Sequence, residues 1–531
     1  MSATEHEEPS DQTGSRVVLA MTAICMMVIG FNTTSVATIL PNLKAEFDLA
    51  PASLQWVMAA YTVVSATLVS ILSRMGDITG KMGVFFFGML VFACGSTLLL
   101  VAQNGTMLLL GRGVQGAGAA ALFGTSLSLL TASTPENRRA GVMGIWSAIV
   151  GLGIGVGPIL GGAFAHYLNW RGVFAFDLCL LAIAFLIGLR VSKRHYVPDT
   201  RKAGAKFDFA SAVALVFLLG PLSFALSNGE SHGWTSSQTL VPLAVSGLAL
   251  AALLVTARRN KDPLVELGYF RHPRYFMASV GMFIGGFALF CFFIFFNVFV
   301  QSPDTFGYSA IGAGVAVLPL SACMFLVSIT APRFLAPYSF HWPLTIGMTA
   351  MAVGFLALSG TTNTTGYAEL WWRLVIVGFG IGLCFSLLPR LGLRVLPEEH
   401  AGQGSGVINT FLYFGATLGS VVGGVAQSIT VRSGLSEVIA ALPEGSTQRE
   451  DLAHALAHSA PSDVQQQISA LDPQSGAALA RALRDLQDNA FDTTMLVCAV
   501  ATLLGGALAF VLLRGPVPPL HDAERLSLKK K

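Results

Sequence analysis

An all-α polytopic membrane protein of fourteen spans is the fold class this sequence predicts, and three observations predict it. The first is composition. Of 531 residues, 53% are hydrophobic and 11% charged, and the mean hydropathy is +0.65. That lies far from the balance of a soluble domain. The second is spacing. Apolar runs near the ~20 residues that cross a bilayer's hydrocarbon core recur at 16–41, 53–73, 83–103, 106–131, 139–165, 172–189, 209–227, 238–257, 275–300, 309–331, 342–359, 369–388, 401–429 and 490–513. The third is an internal repeat. Arg139-Ala140-Gly141 matches His400-Ala401-Gly402; one residue is then inserted. Gly144, Gly153, Gly157, Gly161 and Gly162 go on to match Gly406, Gly415, Gly419, Gly423 and Gly424. Pro41 likewise matches Pro303, and Arg112 matches Arg373.

The repeat divides the chain. A tail at 1–15 precedes a six-helix half at 16–190. A linker at 191–272 carries two inserted spans. A second six-helix half follows at 273–514, including a polar, Ala-rich loop at 430–489, and 515–531 form a second tail. The opening MSATEHEEPSDQTG is acidic and polar, unlike a cleavable signal peptide, which begins basic and turns apolar. With the N-terminus inside, 24 of the 32 basic residues fall on the cytoplasmic side. The positive-inside bias therefore places both termini in the cytoplasm. The net charge of +3 carries no sign of nucleic-acid binding, and the seven cysteines lie in apolar spans with no metal or disulfide spacing. No cofactor and no metal is expected.

Taken in order, span one carries Asn32, Thr33, Thr34, Ser35 and Thr38, and span two carries Gln55, Trp56 and Tyr61. These side chains bond a substrate or a neighbouring helix; the second is commoner. The turn after span two reads SRMGDITGKMG. Its Asp77 and Lys81 form an ordinary polar turn or attract the positive end of a helix. Span four, LLLGRGVQGAGAAALFG, holds Arg112 and Gln115 among small residues. Span five, from Arg139 to His166, is dense in glycine. Gly153, Gly157 and Gly161 fall on one face, with Gly162 beside them, and Pro158 removes a backbone donor. That face is either a packing seam or a sliding surface between halves. Span six holds Asp177. Its carboxyl is either bonded to backbone, Trp170 or Arg171, or takes and releases protons. Span nine is dense in Phe, and span twelve holds Arg373 beside Trp371 and Trp372, a natural cation–π anchor. Ionisable groups inside a membrane are costly and point to function. Arg112, Asp177 and Arg373 share a depth below the outer boundary, so Arg112 and Asp177 can meet if their faces do. No paired carboxylates, nucleophile–base set or metal cluster supports an enzyme.

These residues resemble the major facilitator superfamily, and within it the fourteen-span drug:proton antiporters. GIGVGPILGG at Gly153–Gly162 is similar to the antiporter motif of span five. LLGRGVQGAGAA is similar to the span-four motif whose Arg is associated with proton coupling. SRMGDITGKMG is similar to the loop motif of the inward/outward switch. The resemblance implies a fold of two six-helix halves plus two inserted helices. It assigns Arg112 to proton coupling, and Asp77 and Lys81 with Gly153, Gly157, Pro158, Gly161 and Gly162 to conformational switching. Three departures stand out. Asn32 replaces the usual span-one Asp, Ser73 and Ile78 replace the loop motif's opening Gly and a basic residue, and Asp177 replaces a span-six Asn.

The expectation is a secondary active transporter of the bacterial inner membrane. It would export small amphipathic compounds or drugs against protons by alternating access, and act as a monomer. Arg112 and Asp177 would couple protons; Asn32, Thr33, Gln55, Tyr61 and Gln115 would bind substrate. Without a span-one acid a strongly cationic drug has no obvious counter-charge, and Arg112 argues for neutral or anionic substrates. A proton symporter importing a metabolite and a non-transporting receptor or scaffold are the alternatives.

Overall fold

The computed structural model describes residues 9–49, 51–193, 207–260, 262–302, 305–335, 340–397, 400–440 and 473–514. Within them lie fourteen helices long and apolar enough to cross a membrane. They are α1 (Pro9–Phe47), α2 (Pro51–Thr79), α3 (Lys81–Leu100), α4 (Gly105–Ala132), α5 (Glu136–Tyr167), α6 (Gly172–Lys193), α7 (Phe209–His232), α8 (Ser237–Arg259), α9 (Pro273–Gln301), α10 (Ala310–Phe334), α11 (His341–Ser359), α12 (Tyr367–Leu393), α13 (Ala401–Ala440) and α14 (Pro473–Leu512). Side-chain caps mark several starts. Asn104 accepts from the Met107 amide at 2.9 Å, Asp208 from Ser211 at 3.1 Å and Ser309 from Gly312 at 3.1 Å, each satisfying a donor the first helical turn leaves free.

Each expected span has its helix, and several are longer than the apolar run. Helix α1 begins at Pro9, inside the expected tail. Helices α13 and α14 run for 40 residues each, so both ends of the expected loop 430–489 are helical continuations of their spans. GAALARALRDL lies in the first turns of α14. LAHALAHSA, DVQQQISALD, the 515–531 tail, Pro303 and the Gln55 side chain lie outside the described residues.

The repeat is visible in the contacts. Helix α5 packs on α1 within the first half and on α10 across the seam; its mate α13 packs on α9 within the second half and on α2 across the seam. The stripe Gly153, Gly157 and Gly161 faces α1. A Cβ on Gly153 would meet Gly30 and Phe31, and one on Gly161 would meet Ser35. The expectation that this stripe is the sliding surface between halves is therefore corrected. It seats α5 within its own half, because only bare backbone lets the two helices come this close. The seam to α10 uses a different face. Gly144 lies on Ser328 and Pro332, Gly151 on Met324, Gly155 on Ser321, and Pro158 with Ile159 on Gly314. Gly162 is buried in the same helix.

Pro158 has a specific consequence. A proline cannot bond the carbonyl four residues back, here that of Ile154. The Thr34 hydroxyl of α1 donates to it instead, at 2.8 Å. The lost bond of α5 thus becomes a tie between α5 and α1.

Helices α7 and α8 pair with each other, and α7 also rests on α2 and α13, with Phe224 and Trp56 rings 5.5 Å apart. At the end of the bundle where α1 begins and α14 stops, the seam is closed. Ser73 donates to the Gly402 carbonyl at 2.6 Å, and Ser70 and Thr410 share a hydrogen bond of 2.6 Å.

Candidate functional site

Two features lie side by side: a buried polar network in the first half and an apolar cavity between the halves. Arg112 of α4 and Asp177 of α6 are 1% and 0% exposed. They do not pair directly. The Arg112 guanidinium donates to the Asn32 side-chain oxygen, to Gln115 Oε1 at 2.9 Å and to the Val57 carbonyl at 3.0 Å. It also lies 4.5 Å from the centre of the Tyr61 ring. The amides of Asn32 and Gln115 then donate to the same Asp177 oxygen, at 2.7 and 3.3 Å, and Gln115 donates to Ser96 at 2.8 Å. Two carboxamides therefore bridge cation and anion, each accepting from the one and donating to the other. The second Asp177 oxygen is buried with no partner.

The alternative partners weighed for Asp177, Trp170 and Arg171, are engaged elsewhere. Both donate to Glu46, at 2.5 and 2.8 Å. The Trp170 hydrogen bond, with help from Arg171, holds the Glu46 carboxyl below the usual carboxylate range. Arg373, the repeat mate of Arg112, sits near the Trp372 ring at 5.6 Å and bonds Thr361 at 3.0 Å, with Glu369 at 3.6 Å.

The cavity lies between the halves and, its open mouth included, takes in about 640 Å³ of space between atoms. Helices α1, α4 and α5 line one side with Thr33, Phe123 and Trp146; α9, α12 and α13 line the other with Phe290, Phe385, Asn409 and Tyr413. A smaller void adjoins it past Thr33, Leu289 and Phe290 and reaches Met58. Of the residues expected to bind substrate, Thr33 is on the cavity wall. Asn32 and Gln115 are fully buried in the bridge instead. Tyr61 is behind the wall. Its hydroxyl lies beside those of Thr33 and Tyr413 but forms no well-shaped hydrogen bond.

Asp77 stands at the closed end. Its carboxylate abuts Gly402 in the first turn of α13, where a Cβ would collide with it, and Lys81 lies 3.8 Å away. A helix N-terminus attracts a carboxylate, so the polar turn between α2 and α3 reaches the opposite half. Two residues of the site escaped the sequence reading, Ser96 and Asn409. A lone carboxamide in the apolar run of span thirteen was the available signal for Asn409.

Comparison with known proteins gives three results. The profile of the Major Facilitator Superfamily matches residues 22–420. Among curated proteins, the chain is 30% identical over 426 residues to the cephamycin export protein CmcT of Amycolatopsis lactamdurans, covering 79% of this chain and 86% of that one. It is 27% identical over 446 residues to the multidrug resistance protein Stp of Mycobacterium tuberculosis, covering 84% and 82%. Among solved structures, the human organic anion transporter MFSD10 superposes with a TM-score of 0.61 at 12% identity, covering 94% of this chain and all of that one. At that identity the likeness concerns the fold.

Proposed function

The chain belongs to the major facilitator superfamily, and on that premise we propose that it exports small amphipathic compounds from the cytoplasm in exchange for protons. Relatives named for multidrug resistance and for cephamycin export support the direction of transport. The distribution of Lys and Arg supports cytoplasmic termini in a bacterial inner membrane. The end of the bundle closed by Ser73, Gly402 and Asp77 is then the cytoplasmic end.

One observation carries the coupling. Asn32 links Asp177 to Arg112, and it stands on α1 directly before Thr33 of the cavity wall and two residues before Thr34, which holds α5. An ionised Asp177 draws both bridging amides, and through them Arg112. A proton on Asp177 removes that charge and turns an acceptor into a donor. With the charge gone the bridge is weakened, and Asn32 carries the change along α1 to the cavity and to α5. Arg112 stays charged and supplies the field against which the proton is held. Alternating access follows by rocking of the two halves about the seams α5–α10 and α2–α13, with Asp77 and Lys81 acting at the closed end.

The experiment is efflux from intact cells or uptake into everted vesicles, driven by an imposed pH gradient. The Asp177→Asn variant keeps the side-chain shape and removes the titration. It is expected to bind substrate and to lose the dependence of transport on the gradient. Gradient-driven transport at the wild-type rate in this variant would remove Asp177 from the mechanism.

A further inference from the structure

We propose that Arg74 of α2 is a counterweight to the closed seam: a charge buried without a partner while α2 meets α13, which keeps the closed form easy to open. The proposal rests on the alternating-access reading above and adds what balances its two forms.

Six charged side chains are buried among the described residues: Arg74, Asp77, Arg112, Asp177, Asp208 and Asp488. All but Arg74 are engaged. Arg112 and Asp177 share the bridge. Asp208 accepts from the amides of Ser211 and Leu264 at 3.1 and 3.2 Å, and Asp488 from that of Asn363 at 3.2 Å. Asp77 lies 3.8 Å from Lys81 and against Gly402 of α13. Arg74 is 1% exposed, its Nε and Nη1 are shielded with no hydrogen-bond partner, and it forms no ion pair among the described residues.

A guanidinium so placed has given up its water and gained nothing in return, and an uncompensated buried charge is strongly destabilising. An arginine cannot relieve that cost by releasing its proton. The cost falls on one arrangement of the protein. Arg74 follows Ser73 and stands four residues after Ser70 and three before Asp77, within one helical turn of each. Those are the residues that close the seam. Ser73 donates to the Gly402 carbonyl at 2.6 Å, Ser70 shares its 2.6 Å bond with Thr410, and Asp77 abuts the first turn of α13. Arg74 therefore sits on the stretch of α2 that parts from α13 when the seam opens, and opening returns it to water. The hydrogen bonds favour closure and the bare charge opposes it. A protein that alternates needs two forms of similar free energy, so that a modest bias moves it from one to the other.

The test is amide hydrogen exchange on the purified full chain, read at the seam in residues 70–79 and 402–410. Arg74→Met keeps an unbranched apolar stem and removes the charge. Seam exchange should slow about tenfold, as expected when a buried charge gives way to an apolar side chain, and the melting temperature should rise. Amides around Glu46 and Trp170, at the opposite end, should stay within about twofold of wild type. Arg74→Lys keeps the charge and should exchange at the seam like the wild type. Reconstituted Arg74→Met should transport more slowly than wild type despite its greater stability. Unchanged or faster seam exchange in Arg74→Met would overturn the proposal. A lower melting temperature or a failure to fold would also overturn it, because Arg74 would then hold the seam together. Equal slowing in Arg74→Lys would overturn it as an effect of shape, and undiminished transport by Arg74→Met would remove its part in alternation. Wild-type flux separates the two levels. The expected exchange pattern in a chain that carries no flux would refute export and leave the buried charge opposing closure. Export by the wild type with unchanged exchange in Arg74→Met would refute the counterweight alone.

Discussion

In the first half Gly153, Gly157 and Gly161 seat α5 on α1; in the second, Gly415 and Gly419 lie on Phe283 and Phe287 of α9, and Gly423 on Phe295. Gly144 meets Ser328 and Pro332 across one seam, and its mate Gly406 meets Ser70 and Ser73 across the other. The backbone scheme is therefore the same twice. The side chains are not. The first half buries Arg112, Asn32, Gln115, Ser96 and Asp177 in one connected network. The corresponding bundle of the second half is filled by rings: Phe292 stacks on Phe296 at 4.9 Å, and Phe299 on Phe491 at 4.2 Å. Its own arginine, Arg373, stays near the rim. Ala490-Phe491-Asp492 echoes Ala175-Phe176-Asp177 in sequence, yet no bridge to an arginine forms there among the described residues. Duplication supplied two equal frames, and one was loaded with charge. The proposed coupling draws on this asymmetric load on a symmetric frame.

The greatest contrast should be between the two arginines. Arg112→Lys keeps the charge and loses the fork that reaches Asn32, Gln115 and Val57 together. With a buried network broken at a cost of about 3 kcal/mol or more, gradient-driven efflux should fall roughly a hundredfold, and Arg112→Ala should abolish it. Arg373→Lys should stay within about twofold of wild type. Similar losses in the two Lys variants, measured at equal protein level, would erase the distinction between the halves.

The glycine stripes should behave alike. Gly157→Val and Gly419→Val each drive a side chain into the backbone of the neighbouring helix. Overpacking of about 1–3 kcal/mol should lower the melting temperature of both by several degrees. A variant of one half that melts like wild type would show that the frame is not shared.

The smallest effect belongs to Glu46, partly exposed at the far end of α1. Its carboxyl is held low by Trp170 and Arg171, so its stabilisation is present above the ordinary carboxylate range and is lost as pH falls through the lowered value. Glu46→Gln should cost about a degree of thermal stability or less at neutral pH. That difference should shrink as the pH falls through the lowered carboxylate value. A gap that widens on acidification would invert the assigned sign.

The fourteen spans, the duplication and the buried Arg112 and Asp177 were all legible in the chain. A bilayer asks for about 20 apolar residues per crossing and penalises every charge within them, so these features are written locally. Which glycine face met which helix was not. A spacing of four fixes a stripe on α5 but says nothing of its partner, and the stripe turned inward to α1 while Gly144, Gly151 and Gly155 met α10. The bridge was not legible either. Asn32, Gln115 and Asp177 lie far apart in sequence, and their meeting depends on the rotation of α1, α4 and α6 about their own axes. The same holds for Asn409, an ordinary carboxamide in the sequence. Two halves packed around an apolar cavity leave it without a partner. Local pattern sets what each helix is, and the angular register among helices sets which side chains touch.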